Sequence, residues 1–535
     1  MNDTTTDPAL SAAGEAGANP AMNMPGAINP YHSAHPERRA WSFAKADMVF
    51  AAFAFALGML FWDWIMTPGW YSPGISTTLF FVVAAVVTGV YLHSLGFRQN
   101  RRSLPALVVL LAGALPFTLY ESIDIYFLLL LFELAMSLVW IMNTCRRSVT
   151  ERLSGYLLAD AAAQIFVVPF ANFPGAFKAI AHSAKREGRS RRGLYAFVGV
   201  LVSIPVIVGV TSLLISADKG FADVMGSFFE AVNLETIGRY LLELLVGVPV
   251  ACYLFGSAYG NARGRYTDSV TKTGTDESLA HARKIPLAAI RPCLIILTAL
   301  YALFFIAMGT YLFSAFAGDL PSAYTYAEYA RRGFFELCGV SAINLFLIVF
   351  VYLFAKRAAG EYPKSLRALT AAISSMTILL ILTAASKMLL YVGMYGLTRS
   401  RVYTLWFMLL MLCVFAVVVV WHLRPFNAGK PIALAFAALV LCLFFANTDG
   451  LIAKYNVEQY QAGVLKSVDT QTLVYLSDAV VPYLQDLAET APDRAVRSGA
   501  VAALRERESL ATDMREYSER NWRNWNVQSA TVPRL

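Results

Sequence analysis

Long apolar runs separated by short polar connections make up most of the chain, and eleven of the runs are long enough to cross a bilayer. They are Asp47–Met66, Ile75–His93, Leu104–Tyr120, Ile125–Asn143, Leu194–Ser216, Leu234–Ser257, Arg291–Ala315, Gly333–Ala355, Leu369–Tyr395, Tyr403–His422 and Pro431–Asn447. A helical crossing needs about 20 predominantly apolar residues. Backbone amides in lipid must be satisfied within their own segment, so runs of this kind are helices. The pattern predicts an all-α, polytopic transmembrane helical bundle.

The connections alternate in charge. Every second one, starting with the residues before the first run, is rich in Lys and Arg, and that set holds 26 basic residues against five in the intervening short loops. Basic loops stay on the cytoplasmic side, so the N-terminus is expected inside and the C-terminal tail outside. The segment from Tyr156 to Phe177 is apolar enough to threaten this count. Arg152 and Lys178 flank it, and Asp160, Gln164, Pro169, Asn172 and Pro174 interrupt it. The expectation is therefore an interfacial or re-entrant segment at about 156–177.

Residues 1–40 have no apolar core of the signal-peptide kind and read as a disordered cytoplasmic leader. Residues 41–447 form the membrane domain, and 448–535 a small helical extracytoplasmic region in which acids outnumber bases. Leu473, Leu476, Val480, Leu484 and Leu487 recur at steps of three and four there, the stripe of an amphipathic helix. A second helix is expected from Arg494 to about Tyr517.

Composition fits this picture. Hydrophobic residues make up 57% of the 535, above the ~45–50% of a soluble domain. The net charge of +8 is carried mostly by the loop Asn143–Gly193, so it marks membrane topology and argues against nucleic acid as a partner. The partners expected are the lipid bilayer and either a small-molecule or lipid ligand or another membrane protein. All six cysteines lie in or beside apolar runs without a close pair, which suggests neither a disulfide framework nor a zinc site. No motif for metal, nucleotide or nucleophilic chemistry is present. No cofactor is implied and an enzyme is not expected.

The candidate chemistry lies in ionisable residues within the spans, which cost several kcal/mol each and are by default functional. By depth they gather on the outer side: Arg239 and Glu243 in the sixth span, Arg332 and Glu336 at the start of the eighth, and Lys387 in the ninth. Glu133, near the middle of the fourth, is the deepest. Glu328, Arg332 and Glu336 are spaced to share one helical face, as are Lys387, Tyr391 and Tyr395. Glu133, Arg239, Glu243, Arg332, Glu336, Lys387 and Tyr391 are thus the candidates for an outward-facing polar cavity. The competing reading treats the end-of-span charges as anchors at head-group level and the deeper groups as interhelical hydrogen bonds.

Four stretches, SLLISADKGF (Ser212–Phe221), AEYARRGFFEL (Ala327–Leu337), YGLTRSRVY (Tyr395–Tyr403) and NTDGLIAKYNVEQY (Asn447–Tyr460), with the closing NWRNWN (Asn521–Asn526), carry a resemblance. Together they resemble an uncharacterised family of bacterial multi-pass inner-membrane proteins, the domain of unknown function 4153/4173 type. The resemblance runs from about Leu194 to the C-terminus. It implies a bacterial cytoplasmic membrane and no particular activity. In YGLT, Gly396 is placed to end one helix and Thr398 to cap the next. The function expected is a permease-like or ligand-sensing membrane component. The alternative is a membrane-embedded partner subunit of an exporter or signalling complex.

Overall fold

A computed structural model describes residues 40–66, 74–121, 125–147, 157–186, 192–221, 225, 234–267, 272–317, 334–356, 362–424, 426–518 and 522–531. Arg332 and Glu328, and with them the proposed acid–base–acid face, lie outside the described residues. All of the described helices belong to residues 41–535.

Among the described residues the chain is all-α and has no strand; Ile285 and Ala355 form an isolated parallel bridge. Helix α1 (Lys45–Phe61) runs into a π-helical turn at Trp62–Met66, followed by α2 (Ile75–Ser94), α3 (Ser103–Ala114) and α4 (Tyr126–Thr144). The segment beyond contains α5 (Leu157–Ala162), a π-helical turn, a short helix at Val168–Ala171, and α6 (Gly175–Arg186). Then come α7 (Arg192–Ala217), α8 (Leu234–Arg263), α9 (Lys272–Ala282), α10 (Leu287–Ala317), α11 (Phe334–Phe354), α12 (Lys364–Tyr395), α13 (Arg399–Leu423) and α14 (Gly429–Phe445). The tail holds α15 (Thr448–Gln461), α16 (Val481–Thr490) and α17 (Arg494–Ser518).

Nine helices among the described residues are long and apolar enough to cross a membrane, and ten if α14 and α15 count as one bent span. The eleven expected runs differ from this set at four points, the first being Leu194–Ser216, which lies in α7 but is not among the nine. The third run is the shorter apolar helix Ser103–Leu119, interrupted at Leu115 before a proline that has no amide hydrogen to continue the ladder. The eleventh run, α14, turns by 65° into α15. Asp160–Ser183 is among the nine by length and composition. Three of its residues bond to the second half of α8 and the turn beyond it: Gln164 pairs with Asn261, Tyr253 donates to the Ile165 carbonyl, and Asn172 accepts from Arg265 at 3.0 Å.

Besides a cluster of α1, α2, α6 and α8 around Phe50, Leu92 and Phe255, the helices bury two further apolar cores. One joins α1, α2, α3, α4 and α14 around Phe80, Leu110, Phe117, Phe132 and Phe444. The other joins α10 to α13 around Leu294, Ile373 and Phe415. α13 packs on α14 and so links the two groups. α1 and α8 approach so closely at Gly58 and Gly247 that a Cβ on either would strike the other's backbone.

The tail has a core of its own, built on Ile452, Val480, Leu484, Leu487 and Ala500, with Leu397 and Val402 of the bundle packed against it. The apolar stripe expected there is buried throughout, yet it does not form one helix. A short helix at Thr470–Val474 stops, a 3₁₀ turn follows at Asp478–Val480, and α16 then begins. The break frees the Ser477 amide, which donates to Asp449. Gly396 does end α12, with φ 75°. Thr398 stands at the start of α13 but makes no side-chain cap; instead Arg401 reaches the carbonyls of Tyr395 and Gly396.

Candidate functional site at the seam between helices and tail

The opposite end of the bundle, where α1 begins, provides a reference. Asp47 is fully buried there, accepts the Tyr91 hydroxyl at 2.8 Å and forms an ion pair with Arg263. It also accepts the Ala44 amide at 2.7 Å, bracing the first turn of α1. The guanidinium of Arg265 stacks 3.8 Å from the Trp41 ring, whose other cationic neighbour is Lys178. This is a closed clamp, in which the buried carboxylate has a full set of donors.

At the other end the tail docks on the helices through polar contacts that start at Asn447. That residue adopts a left-handed conformation and its side chain caps α15 by accepting from Gly450. Asp449 is thereby turned back toward α13. Arg399 holds it in a two-pronged ion pair at 2.7 and 2.6 Å, and the Ser477 amide adds a third bond at 2.7 Å. Arg507 of α17 binds Asp478 at 2.8 Å and the carbonyls of Val474 and Leu476, fixing the broken helix. Farther round, Arg523 pairs with Asp63 at the end of α1, and the Trp525 carbonyl accepts from Ile75.

Glu121, just past α3, has no ion-pair partner of its own among the described residues; Arg507, bound to Asp478, is the cation that acts on it. Among the described residues its carboxylate accepts the Asp478 amide at 3.4 Å, while its own amide donates to Gln528, which donates in turn to the Ser477 hydroxyl. Burial, and next the negative charge of Asp478, push the Glu121 carboxyl up to about 7. Beside it opens a narrow cleft with a cavity volume of about 30 Å³. Phe117, Tyr126, Leu129, Leu443 and Phe444 form its apolar walls, and Glu121, Asn447, Thr448, Asp449 and Ser477 its polar mouth. The Thr448 hydroxyl is buried with no hydrogen-bond partner among the described residues. The arrangement combines an apolar slot with a titratable acid and unspent polar groups at its mouth, the lining chemistry of a small-ligand site on a much smaller scale.

The seam places the chain's motifs in space, and it falls within a recognisable family domain. The chain belongs to the DUF4153 family. The family, described as a domain of unknown function, matches residues 106–487. No curated protein and no solved structure matches the chain. The DUF4153 match begins well before the Leu194 limit drawn from the motifs, taking in most of α3 and all of α4. Glu121, Glu133, Arg399, Asp449 and Asp478 all lie inside it, whereas Asp63, Arg507 and Arg523 lie outside.

The residues singled out from the DUF4153 sequence do not meet in one place. Glu133 belongs to the core of α2, α3, α4 and α14. Lys387 is buried in the second core, within electrostatic reach of Glu336 at the exposed start of α11. Tyr391 packs on Tyr395 and lies under the Arg401 guanidinium at 4.2 Å. Arg239 is exposed over the Tyr240 ring and Glu243 is half-buried one turn along α8. Asp449, Asp478 and Arg507 were not among the candidates, because their partners lie far away in sequence or sit in the tail's own broken helix. The available signal was NTDG itself, an acid placed where the last apolar run ends.

Proposed function

We propose that this protein is a non-enzymatic, ligand-sensing or permease-like component of a bacterial cytoplasmic membrane, with its N-terminus inside and its tail outside. The carrying observation is the cleft beside Glu121, where an apolar slot meets a carboxyl that titrates near neutrality at the contact between bundle and tail. An occupant of that slot changes the surroundings of Glu121 and, through Asp478, the seating of the tail. Such a coupling needs an occupant with different affinity for the two tail positions. The distribution of basic loops supports the orientation, and the many long apolar helices support the membrane setting. Asp160–Ser183 is read as entering and leaving on one side, since Gln164, Ile165 and Asn172 all bond to the second half of α8 and the turn beyond it.

The test is mass spectrometry of the full chain extracted with its native lipid, beside a Glu121→Ala variant. A small molecule or lipid enriched with the wild type and lost in the variant is the expected result. A stoichiometric protein partner retained by both, with no such molecule, would overturn this reading in favour of a partner subunit.

A further inference from the structure

Below the cleft lies a second acid. Glu133 is fully buried near the middle of α4, and neither of its carboxylate oxygens has a hydrogen-bond partner among the described residues. It faces Gly113 of α3, where a Cβ would run into its carboxyl group. Leu129 and Phe117, which line the cleft, stand one helical turn nearer the tail than Glu133 and Gly113 respectively, so the floor of the cleft and the acid share one α3–α4 interface. Phe132, beside Glu133, packs edge-on against the cleft residue Phe444 at 5.9 Å.

Among the described residues no ion-pair partner stands beside Glu133. α3 carries no ionisable side chain. α2 carries Tyr91 and His93, and α14 carries Lys430, all at the Asp47 end of the bundle, with the exposed Cys442 near the other end of α14; Tyr91 is engaged by Asp47. The π-helical turn after α5, which also touches α4, has no ionisable group, and Asp160 lies before it. α8 carries Glu235, Arg239, Tyr240 and Glu243 toward its start, Cys252, Tyr253 and Tyr259 farther along, and Arg263 in the Asp47 clamp. On the cleft side the nearest titratable groups in sequence are Tyr126 and Glu121. A buried carboxyl in apolar surroundings is tolerated when it is paired, bound to a metal or carrying a proton. Among the described residues no group of three or more His, Cys, Asp or Glu that could hold a metal ion is found.

We propose that Glu133 is a proton-binding site within the membrane domain, reached from the tail end through the cleft between Phe117 and Leu129. The site gains its proton at a carboxylate oxygen and releases it by the same route. This inference shares the cleft with the proposed function, but needs no ligand in it. An ionisable group part-way across a bilayer, open to one side, is what a proton-linked step requires.

The test uses the full-length protein in native-lipid discs and infrared spectroscopy of the protonated-carboxyl C=O band. The wild type should show a band missing from Glu133→Gln, and that band should shift on transfer to D₂O. A wild type without the band, or a band that never shifts, would overturn the proposal, the second showing a sealed structural acid. For the route, Leu129→Cys is reacted with a bulky charged thiol reagent, with Phe117→Cys on the facing wall as the second variant; the band itself reports that each is folded. Reaction should slow the D₂O shift by about tenfold or more, as expected where exchange is limited by opening of the path. Unchanged exchange after full reaction at both positions would overturn the route. None of these readings depends on a co-purified molecule, so failure of the ligand proposal and failure of this one are separable.

Discussion

Asp47 and Glu121 are both carboxylates held where the ends of helices meet, and the protein treats them in opposite ways. Asp47 has a guanidinium, a phenol and a backbone amide around it. Glu121 has one long amide contact and two other acids nearby. A fully paired buried charge fixes geometry, and removing one member leaves the others uncompensated. An acid short of donors stores the opposite bias: it favours its proton and titrates where the ordinary acid would already be ionised. The Asp47 end is thus built to stay as it is, whereas the tail end is built to respond.

The largest effect that tests this contrast is at the clamp. Asp47→Ala should lower stability by about 3 kcal/mol or more, by stranding Arg263 and Tyr91, measured as thermal unfolding in mild detergent. Little change would show the clamp to be dispensable. At the seam, Asp449→Ala removes the acceptor of two Arg399 bonds and of the Ser477 amide. It should cost about 2–3 kcal/mol, with limited proteolysis moving to the start of the tail.

Glu121 comes next, and its sign follows from linkage. Its folded value, about 7, lies above the ordinary 4.5, so the folded state binds the proton more tightly. Its contribution is fully present below about 4.5, is lost as pH rises through about 7, and is absent above. Allowing for solvent in the cleft, the loss is of the order of 2 kcal/mol, and Glu121→Gln should flatten that part of the stability–pH profile. A smaller change is expected from Gly113→Ala, where the added methyl meets Glu133; overpacking of this kind costs about 1–2 kcal/mol. The cost should shrink when Glu133→Ala is present too, as a double-mutant cycle would record. Arg239→Ala, on an exposed face, should stay within about 0.5 kcal/mol.

The contrast also explains what the sequence reveals. The spans are legible because each is a local property, an apolar run that must satisfy its own amides, and most of the expected runs are long apolar helices in the structure. Ser103–Leu119 and Gly429–Phe445 fall short for reasons that hydropathy averages conceal: a proline after an otherwise continuous run, and a left-handed Asn447 that turns the chain. The tail's apolar stripe identifies its core residues correctly while missing the break at Tyr475–Ser477, which exists to satisfy Asp449. Spacing rules pair residues three or four apart. They therefore find Tyr391 with Tyr395 but cannot find Arg399 with Asp449, or Arg523 with Asp63. Depth alone grouped Glu133 with Lys387, although the structure buries them in different cores.

The most direct measurement is pH-dependent hydrogen exchange at the two ends of the full-length protein. Protection of the Ser477 and Asp478 amides should fall as pH rises through about 7, after correction for intrinsic exchange, and the fall should vanish in Glu121→Gln. The amides of α1 beside Asp47 should keep their protection across the same range. A response of equal size at both ends, or the same fall in Glu121→Gln, would contradict a fixed clamp opposed to a titratable seam.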